Sequence, residues 1–189
     1  LFFFFLKLLP TKYTRNEYFT HIYPHLIINI SVRGTPDPTK TYIQPLVRLQ
    51  KKIVRILKNV PPGTHTKLLM TELGMLSITN LYILRVAAEM HPYIYPKHET
   101  NRPDHFHNYT SVAQIHGHAT RQSRRRQHYI PNTNQYAASY VPDETRNHFT
   151  DKYTAIWNTL PLEIREEREL KAFKRCLNEH LLKQQSRQR

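Results

Sequence analysis

The most restrictive feature of the sequence is the stretch 41–60, where apolar and basic residues separate completely at helical spacing. At about 100° per residue, Ile43, Leu46, Val47, Leu49, Ile53, Val54, Ile56, Leu57 and Val60 fall on one half of the wheel. Arg48, Lys51, Lys52, Arg55 and Lys58 fall on the other half, without overlap. Such a helix buries its first face and turns its second toward water or phosphate. Pro45 suits the first turn, where no N–H is needed. Pro61-Pro62-Gly63 predicts where the helix stops. Gln50 is the exception, because it lies inside the apolar arc. A buried amide needs hydrogen-bond partners, so Gln50 is expected to tie this helix to a backbone segment, the alternative being a place at the rim of the core.

The rest of the chain reads as mostly α, with irregular connections between the helices. Tyr23 to Val32 is a short apolar run that fits a buried helix or a strand, and periodicity does not decide between them. Arg33-Gly34-Thr35-Pro36-Asp37-Pro38 is a turn or loop. Thr66 to Leu73 reads as a short helix stopped at Gly74. Ser77 is positioned to cap a helix from about Ile78 to Met90, with His91-Pro92 as its stop. Its apolar positions are Ile78, Leu81, Leu84, Val86 and Ala88, flanked by Tyr82. From 92 to 143, Pro, Asn, His, Tyr and Arg dominate and no apolar period emerges, which predicts a long irregular basic loop. Asp143 to Trp157 reads as helical and is broken at Leu160-Pro161. A last helix is expected from about Ile164 to Lys183, striped by Leu170, Phe173, Leu177 and Leu181.

The expected organisation is therefore a small helical domain, then the long basic loop, then a C-terminal helical piece. Its divisions fall at 1–20 (a disordered or mistranslated edge), 21–91, 92–143, 144–183 and a frayed tail at 184–189. The edge assignment rests on Leu1 to Leu9, which is almost entirely apolar but lacks the basic start and small cleavage-site residues of a signal peptide.

Charge points to a class of partner. The 189 residues carry a formal net charge of +14. Nucleic acid is the commonest anionic partner for such a chain, and an anionic membrane surface is its main competitor. No stretch approaches the ~20 apolar residues of a membrane span, and nucleic acid rather than a membrane is the partner expected here. The single cysteine, Cys176, excludes an internal disulfide framework and a cysteine-based zinc finger.

Several segments then occur in a telling order. They are Ile22-Tyr23-Pro24-His25-Leu26, Leu46-Val47-Arg48-Leu49-Gln50-Lys51-Lys52-Ile53-Val54-Arg55-Ile56, Glu72-Leu73-Gly74-Met75-Leu76, Thr120-Arg121, Ile156-Trp157-Asn158-Thr159-Leu160-Pro161, and Phe173-Lys174. The series resembles the region that follows the polymerase palm in non-LTR retrotransposon reverse transcriptases, over about residues 21 to 182. One departure is plain. The family usually carries a Tyr and then a Trp-Gly before the loop, and Ile28 to Gly34 keeps only the Gly. The family's palm uses clustered aspartates to hold divalent cations. Here Asp37, Asp104, Asp143 and Asp151 are scattered, so the palm is missing.

The resemblance implies a reverse transcriptase-like fragment that is not an enzyme alone and needs no cofactor. Its partners would be RNA or DNA, met through template or primer phosphates, and the missing palm if the chain is part of a longer one. The expected contact residues are Arg48, Lys51, Lys52, Arg55 and Lys58 on the helix, with Arg121, Arg124, Arg125 and Arg126 in the loop. Gln50, Trp157, Asn158, Leu160 and Pro161 are expected to be structural, with Trp157 a packing anchor rather than a stacking platform. The alternative is a non-functional or protein-interaction remnant without catalysis or binding.

Other constellations carry less. His105-Phe106-His107 and His116-Gly117-His118 pair imidazoles, yet no Cys or clear carboxylate joins them, and no metal site is expected. Cys176 and His180 lie one helical turn apart, short of the four ligands of a structural zinc. Pro142-Asp143 with Glu169-Leu170-Lys171 formally matches a metal-dependent nuclease pattern, but Glu169 sits in a helical stretch where such nucleases use a strand. There is no phosphate-cradling Gly-rich motif, no His-Glu-x-x-His and no Gly-x-Ser-x-Gly.

Overall fold

A computed structural model describes residues 11–28, 30, 34–95, 110–111, 128–129 and 149–187. The described residues are mostly helical. In chain order they form α1 (Thr11–Glu17), a π-helical turn (Tyr18–Ile22), α2 (Tyr23–Ile27), α3 (Gln44–Leu57), α4 (Lys67–Glu72) and α5 (Ile78–Ile94). Then come two-residue strands β1 (Thr110–Ser111) and β2 (His128–Tyr129), and helices α6 (Phe149–Thr159), α7 (Leu162–Arg165) and α8 (Leu170–Arg187). Thr110 pairs antiparallel with Tyr129, and Ser111 with His128. The chain divides into two compact units, Leu1–Arg85 with Arg175–Arg189, and Val86–Lys174.

The amphipathic stretch forms α3 with Pro45 in its first turn. The centre of its apolar arc is buried through Ile53, Val54 and Leu57, with Ile43 buried at the cap. Leu49, at the arc's edge, is 41% exposed. The helix ends earlier than Pro61-Pro62 implies. Lys58 is the cap and Asn59 takes φ 50°, a left-handed conformation that Asn tolerates. Val60 N–H then reaches back to Arg55 O at 3.0 Å, and Asn59 N–H to Ile56 O at 3.1 Å. This is a Schellman closure with Asn in glycine's place. The same closure ends α4 with glycine: Gly74 has φ 66°, and Met75 N–H meets Met70 O at 2.7 Å.

The ambiguous run 23–32 begins as a helix, α2, and Asn29 and Ser31–Arg33 lie outside the described residues. The turn after it is set by local polar bonds. Asp37 accepts from Thr39 N–H at 2.8 Å and from Thr39 Oγ1 at 2.7 Å. Those bonds hold the Asp37 carboxyl below its ordinary range. Gly34 has to be glycine for packing, because a Cβ there would run into the Ile30 carbonyl oxygen and the ring of Tyr82.

Four expectations need correction, the first being the tail expected to fray at 184–189, because α8 runs on to Arg187 with Gln185 buried at 4% exposure. The edge assigned to 1–20 gives way at Thr11, where α1 begins, and Tyr18 is buried at 1% exposure. Pro92 does not stop α5, which continues to Ile94. The proline removes one backbone donor, but His91 Nε2 lies 2.8 Å from Glu167 O and Tyr95 O–H donates to Arg165 O at 2.8 Å, holding the final turn. The last helix starts at Leu170, not Ile164. Glu169 sets that start: its carboxylate accepts from Lys171 N–H at 2.9 Å and Ala172 N–H at 2.6 Å. Residues 162–165 form the separate short helix α7.

The core of the first unit centres on the extended connector between α4 and α5, which two glutamines clasp. Gln50 Nε2 donates to Leu76 O at 2.7 Å, while Gln50 Oε1 accepts from Ile78 N–H at 3.0 Å. Gln185, from α8, does the same one residue earlier. Its Nε2 donates to Met75 O at 3.2 Å and its Oε1 accepts from Ser77 N–H at 2.9 Å. Each amide meets the C=O of one residue and the N–H of the residue two further on, as a neighbouring strand would. Gln185 Oε1 also accepts from Asn80 Nδ2 at 3.1 Å. Both glutamines are buried, at 1% and 4% exposure.

The core of the second unit is aromatic. Trp157 is fully buried and stacks on Phe173 at 5.4 Å between centroids. His91 lies 4.6 Å from Phe173 and 6.3 Å from Trp157. Tyr153 is buried and donates to Glu89 Oε2 at 2.6 Å. Arg165 is also buried, and its Nε donates to Leu160 O at 3.1 Å, which closes the Leu160-Pro161 turn.

Candidate nucleic-acid interface

The outward face of α3 is built by exclusion. With Gln50, Ile53, Val54 and Leu57 buried, the opposite side of the helix faces solvent. Arg48, Lys51 and Lys52 are exposed there, with no hydrogen bond or ion pair to any described residue. Spaced three and four residues apart, Arg48 sits beside Lys51 and Lys52 on one surface. The like charges repel one another mildly, and an anion placed across them relieves that repulsion.

The other two expected residues on this helix are engaged within the fold. Arg55 Nε donates to Thr64 O at 2.9 Å and pins the loop that follows the helix. Lys58 Nζ pairs with Glu72 Oε2 at 2.7 Å, linking the end of α3 to α4. The Lys58 side chain is only 23% exposed, against 59% for Glu72. The basic face thus narrows from five residues to three open ones, with Arg55 half-buried at its margin. Geometry, not wheel position, makes this distinction. The signal in the sequence was Glu72, fourteen residues beyond Lys58, and no helical spacing links the two.

Arg121, Arg124, Arg125 and Arg126 lie outside the described residues, as do both His-x-His pairs and Asp143. The residues expected to be structural occupy interior or turn positions. Gln50 binds the 76–78 backbone, Trp157 and Leu160 are buried, Asn158 is half-buried, and Pro161 caps α7. Glu169 spends its carboxylate on the first N–H groups of α8. Cys176 is half-buried and in no disulfide. No group of three or more His, Cys, Asp or Glu side chains comes together among the described residues. No helix among them is long and apolar enough to cross a membrane.

Two features escaped the sequence reading. Gln185 stands in a polar run, Lys183-Gln184-Gln185-Ser186, that looks solvated. Its place on the Leu177-Leu181 stripe, four residues beyond Leu181, is the one signal that marks it as inward-facing. Arg165 stands among glutamates and gives no comparable sign. Comparison of the chain with protein-family models, with curated proteins and with solved structures finds no match.

Proposed function

We propose that this chain is the post-palm part of a reverse transcriptase-like protein of the non-LTR retroelement kind, and that it binds RNA or DNA phosphates through α3 without catalysing a reaction itself. The ordered motifs from Ile22 to Lys174 support the family reading, and the scattered aspartates support the absence of catalysis. One observation carries the binding reading: Arg48, Lys51 and Lys52 stand open on one face of a helix whose other face is locked by the Gln50 bonds. A helix held this way presents fixed cations, and fixed cations lose little side-chain and backbone freedom when phosphates arrive.

The test is binding of a twenty-base-pair duplex by the wild-type chain and by Arg48→Gln/Lys51→Gln/Lys52→Gln, followed by fluorescence anisotropy over a salt series. Neutralising three phosphate contacts should reduce the slope of log K against log salt by about 2.7. An unchanged slope would show that nucleic acid does not meet this face.

A further inference from the structure

A second feature of the first unit is a partly open pocket of about 160 Å³ between α1, the π-helical turn and the clasped connector. Phe19, Tyr18 and Tyr23 wall it, and Arg15 stands at its edge. The rings form a continuous set: Phe19 meets Tyr18 edge-on at 5.0 Å and lies 5.6 Å from Tyr23. Tyr18, buried at 1% exposure, backs this wall from inside rather than facing the opening. Its O–H takes a bond from Gln50 Nε2 at 3.4 Å, and burial pushes its pKa up to about 12.

Arg15 is held in place although it is exposed. Its Nε donates to Leu73 O at 2.9 Å, and its Cζ sits 4.9 Å from the Phe19 centroid. Gly74 leaves the room for it, since a Cβ there would come within 3.3 Å of Arg15 Nη2. With Nε committed, the guanidinium has its terminal N–H groups left to offer as a fork to an anion. None of the residues lining the pocket is acidic. The floor is stiff, because Met75 and Leu76, which line it, belong to the connector that Gln50 and Gln185 clasp.

We infer that this pocket takes one unstacked nucleotide, with its base against the Phe19 and Tyr23 rings and its phosphate on Arg15. The volume matches one aromatic ring, since a cavity of roughly 150 Å³ accepts a single benzene, so the sugar and phosphate of the nucleotide would have to lie outside it on the open side. Aromatic walls beside an arginine suit any base, because every base has a π-face. The same chemistry is offered by a free nucleoside monophosphate and by a nucleotide splayed from a single strand. The strand source rests on the function proposed above, and the free-nucleotide source does not.

The test measures binding of adenosine monophosphate and of a ten-nucleotide single strand to the full chain and to two variants, Phe19→Leu and Arg15→Gln. Helical circular dichroism confirms that each variant is folded. Loss of the stacking ring should weaken either ligand at least about fivefold, and Arg15→Gln should weaken both by a similar factor. Monophosphate binding that depends on Phe19 and Arg15 supports the pocket whatever the strand does. Strand binding that depends on them, without monophosphate binding, supports it with the strand as source. The inference is overturned if neither ligand binds, or if the strand binds equally to wild type and both variants. In the second case, a strand affinity still lowered by the triple substitution in α3 leaves the α3 interface standing without the pocket.

Discussion

In the first unit two glutamine amides sit at the centre of the packing, whereas the second unit is centred on stacked rings. Gln50 and Gln185 bond the two edges of the 75–78 connector. Trp157, Phe173 and His91 meet face to face or at an angle around the end of α5. The two arrangements do different things. Ring packing removes a large apolar area from water and tolerates small changes of direction. An amide clasp adds little net energy per bond but fixes which backbone groups face which helix. The clasped unit is also the one that carries the open basic face and the ring-walled pocket. Both features need their side chains held at set positions, and a directional core supplies that.

The comparison can be broken most severely at Trp157. Trp157→Ala should cost about 4 kcal/mol in denaturant unfolding, from lost ring burial and the cavity left behind. Trp157→Phe should cost clearly less, because a ring still faces Phe173. Equal costs would mean that stacking on Phe173 contributes nothing.

Next is Gln50→Leu. The side chain keeps nearly the same volume, so the loss comes from stranding Leu76 C=O and Ile78 N–H in the interior. Two unmet buried groups predict a cost of about 3 kcal/mol. Gln185→Leu should add to it less than independently, since the two amides share one segment. A neutral Gln50→Leu would make the clasp incidental and erase the contrast between the units.

The smallest expected effect is a pH response confined to the second unit. Burial against the rings lowers the His91 pKa, partly opposed by its bond to Glu167 O and by the Glu167 and Glu169 carboxylates, while Lys174 lowers it further. The unfolded chain therefore takes up a proton at a higher pH than the folded chain does. Stability is whole above the ordinary histidine range, near 6.5, and falls as the pH drops below it. Melting measured at several values from pH 7.5 to 5.0 should show this loss, and His91→Gln should flatten the response by the His91 share. A parallel response in the variant would assign the pH dependence to other histidines.

Much of the fold was legible in the sequence. The full separation of apolar and basic residues over 43–60 marked α3 and its buried face, because helical period is a strong signal over about five turns. Gly74 and Ser77 marked the end of α4 and the start of α5 through backbone chemistry that depends on single residues. The failures have equally local causes. Asn59 ended α3 in a role usually given to glycine. Pro92 failed to end α5 because tertiary bonds from His91 and Tyr95 outweighed one missing donor. Glu169 started α8 by capping, which an acidic run hides.

The candidate site was legible only in outline. Wheel position placed five cations on one face but held no information about long-range partners. Only the fold shows that Arg55 and Lys58 are committed to Thr64 and Glu72. Gln185 and the ring-walled pocket depend on contacts between distant segments, 110 residues apart for Gln185 with Met75 and 58 for Arg15 with Leu73, and no local pattern encodes those.

The most direct test of the central claim compares the two kinds of cation on the same helix. The salt dependence of duplex affinity would be measured for wild type, for Arg48→Gln/Lys51→Gln/Lys52→Gln and for Lys58→Gln. The open trio should lower the slope by about 2.7, and the paired Lys58 should leave it nearly unchanged. Equal small changes from both, or a larger change from Lys58→Gln, would contradict an interface built on the open face of α3.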